Sequence, residues 1–194
     1  DAFTGIQSSA LVSIELKSGS PCSVTLEGEA DAIKTITTEV KDGMLSIGQD
    51  GHSKGGPVKV IVTISDLKKI DVGGPTELTG SGTFTSDSVD IDGSGGAQMD
   101  FNISARAVNI DLSGASSLHL CGTATRVDAD LSGASDLRSG CLDAQNVDVR
   151  TSGASSASVM ASQSVKAQSS GASDIVIYGD ATQRTVDASG SSSI

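Results

Sequence analysis

Aromatic residues are nearly missing from this chain of 194 residues, which has no Trp, one Tyr and three Phe. Stacking platforms for sugar rings or single-stranded bases need exposed aromatic faces. Few such faces can exist here, because the rings are limited to Phe3, Phe84, Phe101 and Tyr178. The sequence therefore offers little for recognition by stacking.

Positive charge is also scarce, with 13 basic residues against 24 acidic ones and a formal net charge of −11. An acidic surface repels phosphate backbones, which argues against nucleic acid as a partner. Basic patches that would attract a membrane surface are not evident either. Long apolar runs of about 18 residues are absent, so we expect no transmembrane segment. The first residue is Asp1 rather than Met, which predicts that a targeting segment has been removed and favours export.

Cysteine and histidine are too few and too scattered to indicate a catalytic or metal centre. Cys22, Cys121 and Cys141 form no Cys-x-x-Cys pair and no zinc-finger spacing. Free cysteines are commonly buried, so they are best interpreted as small apolar side chains. A disulfide between Cys121 and Cys141, one repeat apart, is the alternative. We predict a surface hydrogen-bonding role for His119, place His52 in a Gly-rich loop, and predict no catalytic residue and no cofactor.

The dominant feature that is present is a repeat from Val89 to Ile194. A fixed period of about 19 residues is typical of repeat folds such as solenoids. Its central glycines are 19, 19, 20, 18 and 19 residues apart. A weaker copy, at Gly73-Gly74, lies upstream. The six copies are marked by Ser94-Gly95-Gly96-Ala97, Ser113-Gly114-Ala115, Ser132-Gly133-Ala134, Ser152-Gly153-Ala154, Ser170-Gly171-Ala172 and Ser189-Gly190-Ser191.

Apolar and polar positions alternate on both sides of each glycine. Alternation with period two is typical of a half-buried strand. Glycine suits the corner between two strands, because it adopts positive φ without a Cβ penalty. Each repeat is therefore predicted to be a strand, a tight Ser-Gly-Ala corner, a second strand and a polar connection. The apolar columns include Val89, Val108, Val127, Val147 and Val165 before the glycine, and Met99, Leu118, Leu137, Ala157 and Ile175 after it.

These features predict an all-β fold, a single-stranded parallel β-helix with about 19 residues per coil and coils about 4.8 Å apart. Leucine-rich repeats and calcium-binding nonapeptide rolls are disfavoured, because their residue frames are absent. A left-handed hexapeptide helix is disfavoured because the apolar spacing here is two.

We predict one domain over residues 1–194, with N-terminal strands capping one end over 1–66 and regular coils over 67–194. Strands are predicted at 10–16, 22–26 and 58–64, a hairpin around Asp42-Gly43, and a loop or hairpin tip at 49–57. Residues 31–37 could be a helical turn or a strand. An open solenoid end exposes a hydrogen-bonding edge, so the end near Ile194 indicates a partner, a further segment or a homo-oligomer.

An acidic stripe is the clearest candidate for a binding site. Calcium takes six to eight oxygen ligands and could offset the repulsion between stacked carboxylates. A solvated polar face, partly neutralised by Arg150 and Lys166, is the favoured interpretation, and a carbohydrate site is a further alternative. The calcium candidates are Asp90, Asp92, Asp111, Asp128, Asp130 and Asp148.

The sequence resembles the "Putative auto-transporter adhesin, head GIN domain" family over essentially its whole length. The resemblance is carried by the Leu-Ser-Gly-Ala-Ser repeats and by the N-terminal strand set. The matching segments are Phe3-x-x-Ile6, Asp42–Ile47, Val60–Gly74 with its Asp66-Leu67-Lys68-Lys69-Ile70, Leu112–Ser116 and Leu131–Ser135.

The resemblance implies a right-handed β-helix, a handedness that the general crossover rule also favours. It further implies an exported protein of Bacteroidetes-type bacteria, without established enzymatic activity and with no residue roles to carry over. We therefore expect a non-enzymatic adhesion or binding protein at the cell surface, the outer membrane or the periplasm. Its partner would be a host or cell-surface protein or glycan. The alternatives are a divergent pectate-lyase-like protein that uses calcium on the aspartates, and a self-assembling structural β-helix.

Overall fold

Parallel stacking of the repeats builds a β-solenoid of about six turns, with coils of about 19 residues. The structure, a computed structural model, describes residues 2–51 and 56–194. It confirms the predicted fold class. In the described part of the chain, no helix is long and apolar enough to cross a membrane.

The N-terminal segment forms two coils of its own and covers the solenoid end. Its elements are β1 Gly5–Ser8, β2 Val12–Ser18, β3 Ser23–Glu27, α1 Ala30–Ile33, β4 Ile36–Lys41, β5 Met44–Gln49 and β6 Val58–Ile64. β4 and β5 form the predicted hairpin, which turns at Asp42 and Gly43 with positive φ. The alternatives for 31–37 resolve into a helical turn followed by a strand. The predicted loop at 49–57 lies partly outside the described residues.

Chain order and spatial order differ at this end. β1 pairs in parallel with β5 on one side and with β7, Lys69–Val72, on the other. β2 lies in the same way between β6 and the next strand, β8, Glu77–Gly93. β3 and β4 then pair antiparallel with β6 and β5. The predicted antiparallel cap is therefore present, outside two parallel coils.

The regular coils follow as β9 Gln98–Leu112, β10 Ser117–Leu131, β11 Asp136–Thr151, β12 Ser156–Ser169, β13 Asp174–Tyr178 and β14 Gln183–Ala188. The prediction of a polar connection in each repeat was wrong, because the long strands run on through it as a third side of the coil. Phe84, Ile103 and Leu142 point inward on that side and are buried. At most one large apolar residue per repeat, beside small ones such as Ala144, is too weak a pattern to indicate a strand.

The inner lining is made by the predicted apolar columns. Val89, Val108, Val127, Val147 and Val165 are all buried and in register on successive coils. Phe84 and Phe101 meet edge to face, with ring centroids 6.3 Å apart. A Cβ at Gly80 would lie 2.5 Å from Phe101 Cβ, so this glycine makes room for the aromatic pair. In the last coil Val186 is 50% exposed.

The Ser-Gly-Ala corners stack on one another through their backbones. Gly133 has φ +76°, and Ala134 N donates to Gly114 O at 2.7 Å. A Cβ at Gly133 would lie 2.6 Å from the same Gly114 O. The buried serine two residues after each of several corner glycines closes the turn, as when Ser135 Oγ donates to Ser132 O at 2.9 Å. The corner glycines therefore form a backbone column that has no space for side chains.

Candidate functional site

The six aspartates proposed for calcium lie on one face of the solenoid, which we call the acidic face. It consists of the outward side chains of the strand that precedes each corner. Strand register arranges them in two columns. The first is Lys69, Asp90, Asn109, Asp128, Asp148, Lys166 and Thr185, and the second is Asp71, Asp92, Asp111, Asp130, Arg150, Gln168 and Asp187.

Cations already lie against most of these carboxylates. Lys69 Nζ is 3.0 Å from Asp92 Oδ2, and this hydrogen bond raises the pKa of Lys69. Arg126 Nε donates to Asp128 Oδ2 at 2.6 Å. The sequence predicts Arg150 and Lys166 as cations that neutralise these aspartates. It does not predict Lys69, which precedes the first full repeat, or Arg126, which lies outside the two columns.

Arg150 links the two columns. Its Nη2 donates to Asp148 Oδ2 at 2.8 Å, and its Nη1 lies 3.4 Å from Asp130 Oδ1. Asp148 Oδ1 is buried and has no hydrogen-bond partner among the described residues. Asp111, which lies between Asp92 and Asp130 in the second column, has no ion pair with any described residue. The acidic face is therefore a mixed-charge surface on which some carboxylate oxygens have no partner among the described residues, and calcium binding there stays the alternative to a solvated polar face.

A second polar cluster lies on the next side of the coil, after the corner. His119 stacks between Asp100 and Arg138, as the repeat predicts. Its Nδ1 is 3.2 Å from Asp100 Oδ1. Its Nε2 is 3.4 Å from Cys121 Sγ and 3.6 Å from Cys141 Sγ. His52, the other histidine, lies outside the described residues.

Cys121 and Cys141 form a disulfide between adjacent coils, with their Cα atoms 4.8 Å apart. The interpretation as buried apolar side chains was wrong, because Cys121 is half-buried and Cys141 is exposed. The two residues fall at different offsets from their glycines. The pairing of β10 with β11 shifts register between His119 and Gly122, which absorbs the extra residue. The extra residue could have been inferred from the sequence, because Gly133 and Gly153 are 20 residues apart, whereas the preceding corner glycines are 19 apart. Cys22 is free and half-buried.

Glu15, on β2, lies in the column that leads to His119, through Thr79 and Asp100. Lys59 Nζ is 2.7 Å from Glu15 Oε2 and Lys17 Nζ is 3.3 Å from Oε1. The hydrogen bond from Lys59, with help from Lys17, lowers the pKa of Glu15. A carboxylate with a lowered folded-state pKa stabilises the fold above its unfolded pKa of about 4.3, and this contribution is lost as pH falls through the folded value.

We therefore expect Glu15→Gln to have a lower denaturation midpoint than the wild type at pH 7, and the difference to disappear at about pH 2. Urea denaturation at both pH values measures it. In a background with Lys17→Met and Lys59→Met, the Glu15 substitution should no longer change the pH dependence. An equal difference at both pH values would contradict the assignment.

Solved structures with the same fold come from Bacteroides and Parabacteroides species. A "putative adhesin" from Bacteroides fragilis has a TM-score of 0.92 at 20% identity, covering 100% of this chain and 92% of that one. A "putative adhesin" from Parabacteroides distasonis has a TM-score of 0.74 at 19% identity, with the same coverage. A "Putative lipid binding protein" from the same species has a TM-score of 0.78 at 15% identity, covering 100% and 93%. At these identities the likeness shows the fold alone.

The comparison with curated proteins found no match. A family model does match, over residues 2–181, which is nearly the whole chain. This match includes both the N-terminal coils and most of the stacked corners. The chain belongs to the family described as "Putative auto-transporter adhesin, head GIN domain".

Proposed function

We propose that this chain is a non-enzymatic, exported binding protein that presents its acidic face to a protein partner at the bacterial cell surface. Membership of a family described as adhesins supports a binding role. Residues 1–194 would act as one domain, because the sheet runs without interruption from β4 to β13.

The observation that carries the proposal is the register of the acidic face. Parallel pairing repeats the same two outward positions on every coil from β7 to β12, at about 4.8 Å per step. Several of its side chains are held by ion pairs with one another, as in the Arg150 contacts with Asp130 and Asp148. A long, regular, pre-ordered surface suits an extended contact, because little side-chain entropy remains to be lost on binding.

The charge of the face favours a basic protein over a glycan. Asp71, Asp92, Asp111 and Asp130 follow one another in the second column, and the whole chain has a net charge of −11. Complementary charge on two proteins speeds their association, and this electrostatic attraction weakens as the salt concentration rises. Glycan recognition would need exposed rings, and the large exposed apolar side chains include a single aromatic one, Tyr178.

The test is an array of host-matrix proteins, cell-surface proteins and glycans, probed with the full chain with and without calcium. We expect binding to basic proteins that falls about tenfold or more between 50 and 500 mM salt. Changing Asp71, Asp92, Asp111 and Asp130 together to Asn should abolish it. A matched control, Thr85→Ala with Ser104→Ala and Thr123→Ala, alters the third side of the coils and should leave binding unchanged.

Several results would overturn the proposal. Binding to glycans alone, or equal binding by the Asn variant, would remove the acidic face from the function. Binding that requires calcium would favour the metal-dependent alternative on the same aspartates. Protease treatment of intact producing cells tests the surface location, since we expect the chain to be cleaved from outside.

A further inference from the structure

The cluster at His119 is chemically distinct from the acidic face and is not used by the proposed function. It brings together one imidazole nitrogen and two sulfurs, and these three atoms all lie within 4.8 Å of one another. Imidazole and thiolate are the ligands that zinc prefers. We propose that Cys121, Cys141 and His119 form a zinc site when the disulfide between the two cysteines is reduced.

The distances from the imidazole already suit a tetrahedral metal. Zinc bonds of about 2.3 Å to sulfur and 2.0–2.1 Å to nitrogen place the nitrogen and each sulfur about 3.5 Å apart. His119 Nε2 is 3.4 Å from Cys121 Sγ and 3.6 Å from Cys141 Sγ. The imidazole therefore needs little movement to become a ligand.

The two sulfurs must separate. A disulfide holds them about 2.05 Å apart, whereas two thiolates on one zinc ion lie about 3.8 Å apart. The cysteines are on neighbouring strands with Cα atoms 4.8 Å apart, and Cys141 is exposed. Rotation about χ1 can supply the change without moving the coils, because one of the two side chains faces solvent.

Asp100 orients the histidine for this role. Its Oδ1 is 3.2 Å from His119 Nδ1, so that Nδ1–H donates to the carboxylate and the Nε2 lone pair faces the sulfurs. A carboxylate behind a metal-binding histidine fixes the tautomer and the ring orientation. The fourth ligand would be water, since the three protein ligands leave one tetrahedral position open to solvent.

Metal binding and disulfide formation exclude one another. A dithiol reductant transfers two electrons and two protons to the Cys121–Cys141 bond, which gives two thiols and the oxidised reductant as a cyclic disulfide. Zinc then displaces the two thiol protons and binds both thiolates and the neutral imidazole. A small-molecule disulfide reverses the sequence: it takes two electrons from the two thiolates and two protons from solvent, leaves as two thiols, and the Cys121–Cys141 bond forms again as the ion is released. The site is therefore a redox-gated zinc site.

Cobalt(II) is the probe for the test, because it replaces zinc and absorbs visibly when sulfur-bound. The full chain is reduced with a phosphine, freed of reductant without oxygen, and titrated with Co²⁺. We expect one equivalent to produce sulfur-to-cobalt charge-transfer and tetrahedral d–d bands, and Zn²⁺ to bleach them. The oxidised chain should show neither band. Zinc should raise the melting temperature of the reduced chain only.

Variants assign the ligands. Asp100→Asn keeps all three ligands and should weaken Zn²⁺ affinity about 10- to 100-fold, and His119→Ala should weaken it further. Cys121→Ser should remove the charge-transfer band, whereas Cys22→Ser should retain it. Circular dichroism confirms folding of each variant. Absence of the band in the reduced wild type, its survival in Cys121→Ser, or unchanged affinity in both Asp100→Asn and His119→Ala would overturn the proposal.

Discussion

Replacing Gly133 with Ala should lower the free energy of unfolding by about 2–5 kcal/mol. A left-handed backbone, here φ +76°, costs a non-glycine residue about 1–2 kcal/mol. The new Cβ would lie 2.6 Å from Gly114 O and 3.1 Å from Gly114 N, and relieving such overpacking costs about 1–3 kcal/mol more. Urea denaturation followed by circular dichroism measures the loss.

Gly82→Ala is the matched control. Gly82 also has positive φ, +86°, but nothing lies within 4 Å of the position that its Cβ would occupy. Gly82→Ala should therefore lower the free energy of unfolding only by the cost of the left-handed backbone, about 1–2 kcal/mol. The difference between the two variants isolates the cost of separating stacked corners. Equal losses would mean that the corners tolerate a side chain, and the backbone column would not define the coil spacing.

Phe101→Ala should lower the free energy of unfolding by about 3–5 kcal/mol, the range for removing a fully buried ring. Phe101 is 1% exposed and packs edge to face on Phe84. Its loss opens a cavity between two coils that Gly80, on the neighbouring strand, has no side chain to fill. Thermal denaturation measures the effect.

Val176→Ala is the control for that substitution. Val176 is 50% exposed on β13, so the change should stay within about 0.5 kcal/mol. If Phe101→Ala cost no more than Val176→Ala, the aromatic pair would contribute nothing beyond surface packing, and the interior would be held by the aliphatic columns alone.

The regular part of the fold could be predicted because each repeat states the same pattern again. The glycine at each corner and the alternating valines define the strand, the turn and the inward face, and the observed register aligns Val108 with Val127. The positions of the six aspartates followed from the same period. The alternating pattern of one repeat alone could fit other structures, but the same pattern in six successive copies indicates stacked strands.

The remaining features depend on contacts that a period does not contain. The disulfide depends on a local register shift after His119, whereas Cys121 and Cys141 lie seven and eight places after their glycines, so counting alone does not put them on the same face. The third side of the coil carries at most one large apolar residue per repeat, such as Ile103 or Leu142, so its pattern stays weak. The ion pairs of Arg126 and Lys69 depend on rotamers, which spacing alone does not determine.

The position of β1 between β5 and β7 has a consequence for biosynthesis. β1 leaves the ribosome before either of its neighbours, and its partners Leu45 and Ile70 are added much later. Non-local pairing of this kind delays folding, because a long loop must close first. The first coils therefore cannot form in chain order, whereas the coils from β7 onward follow one another in the sequence. Ile6 has both of its neighbours only after Ile70 has been translated, so the pairing of this strand is completed only then.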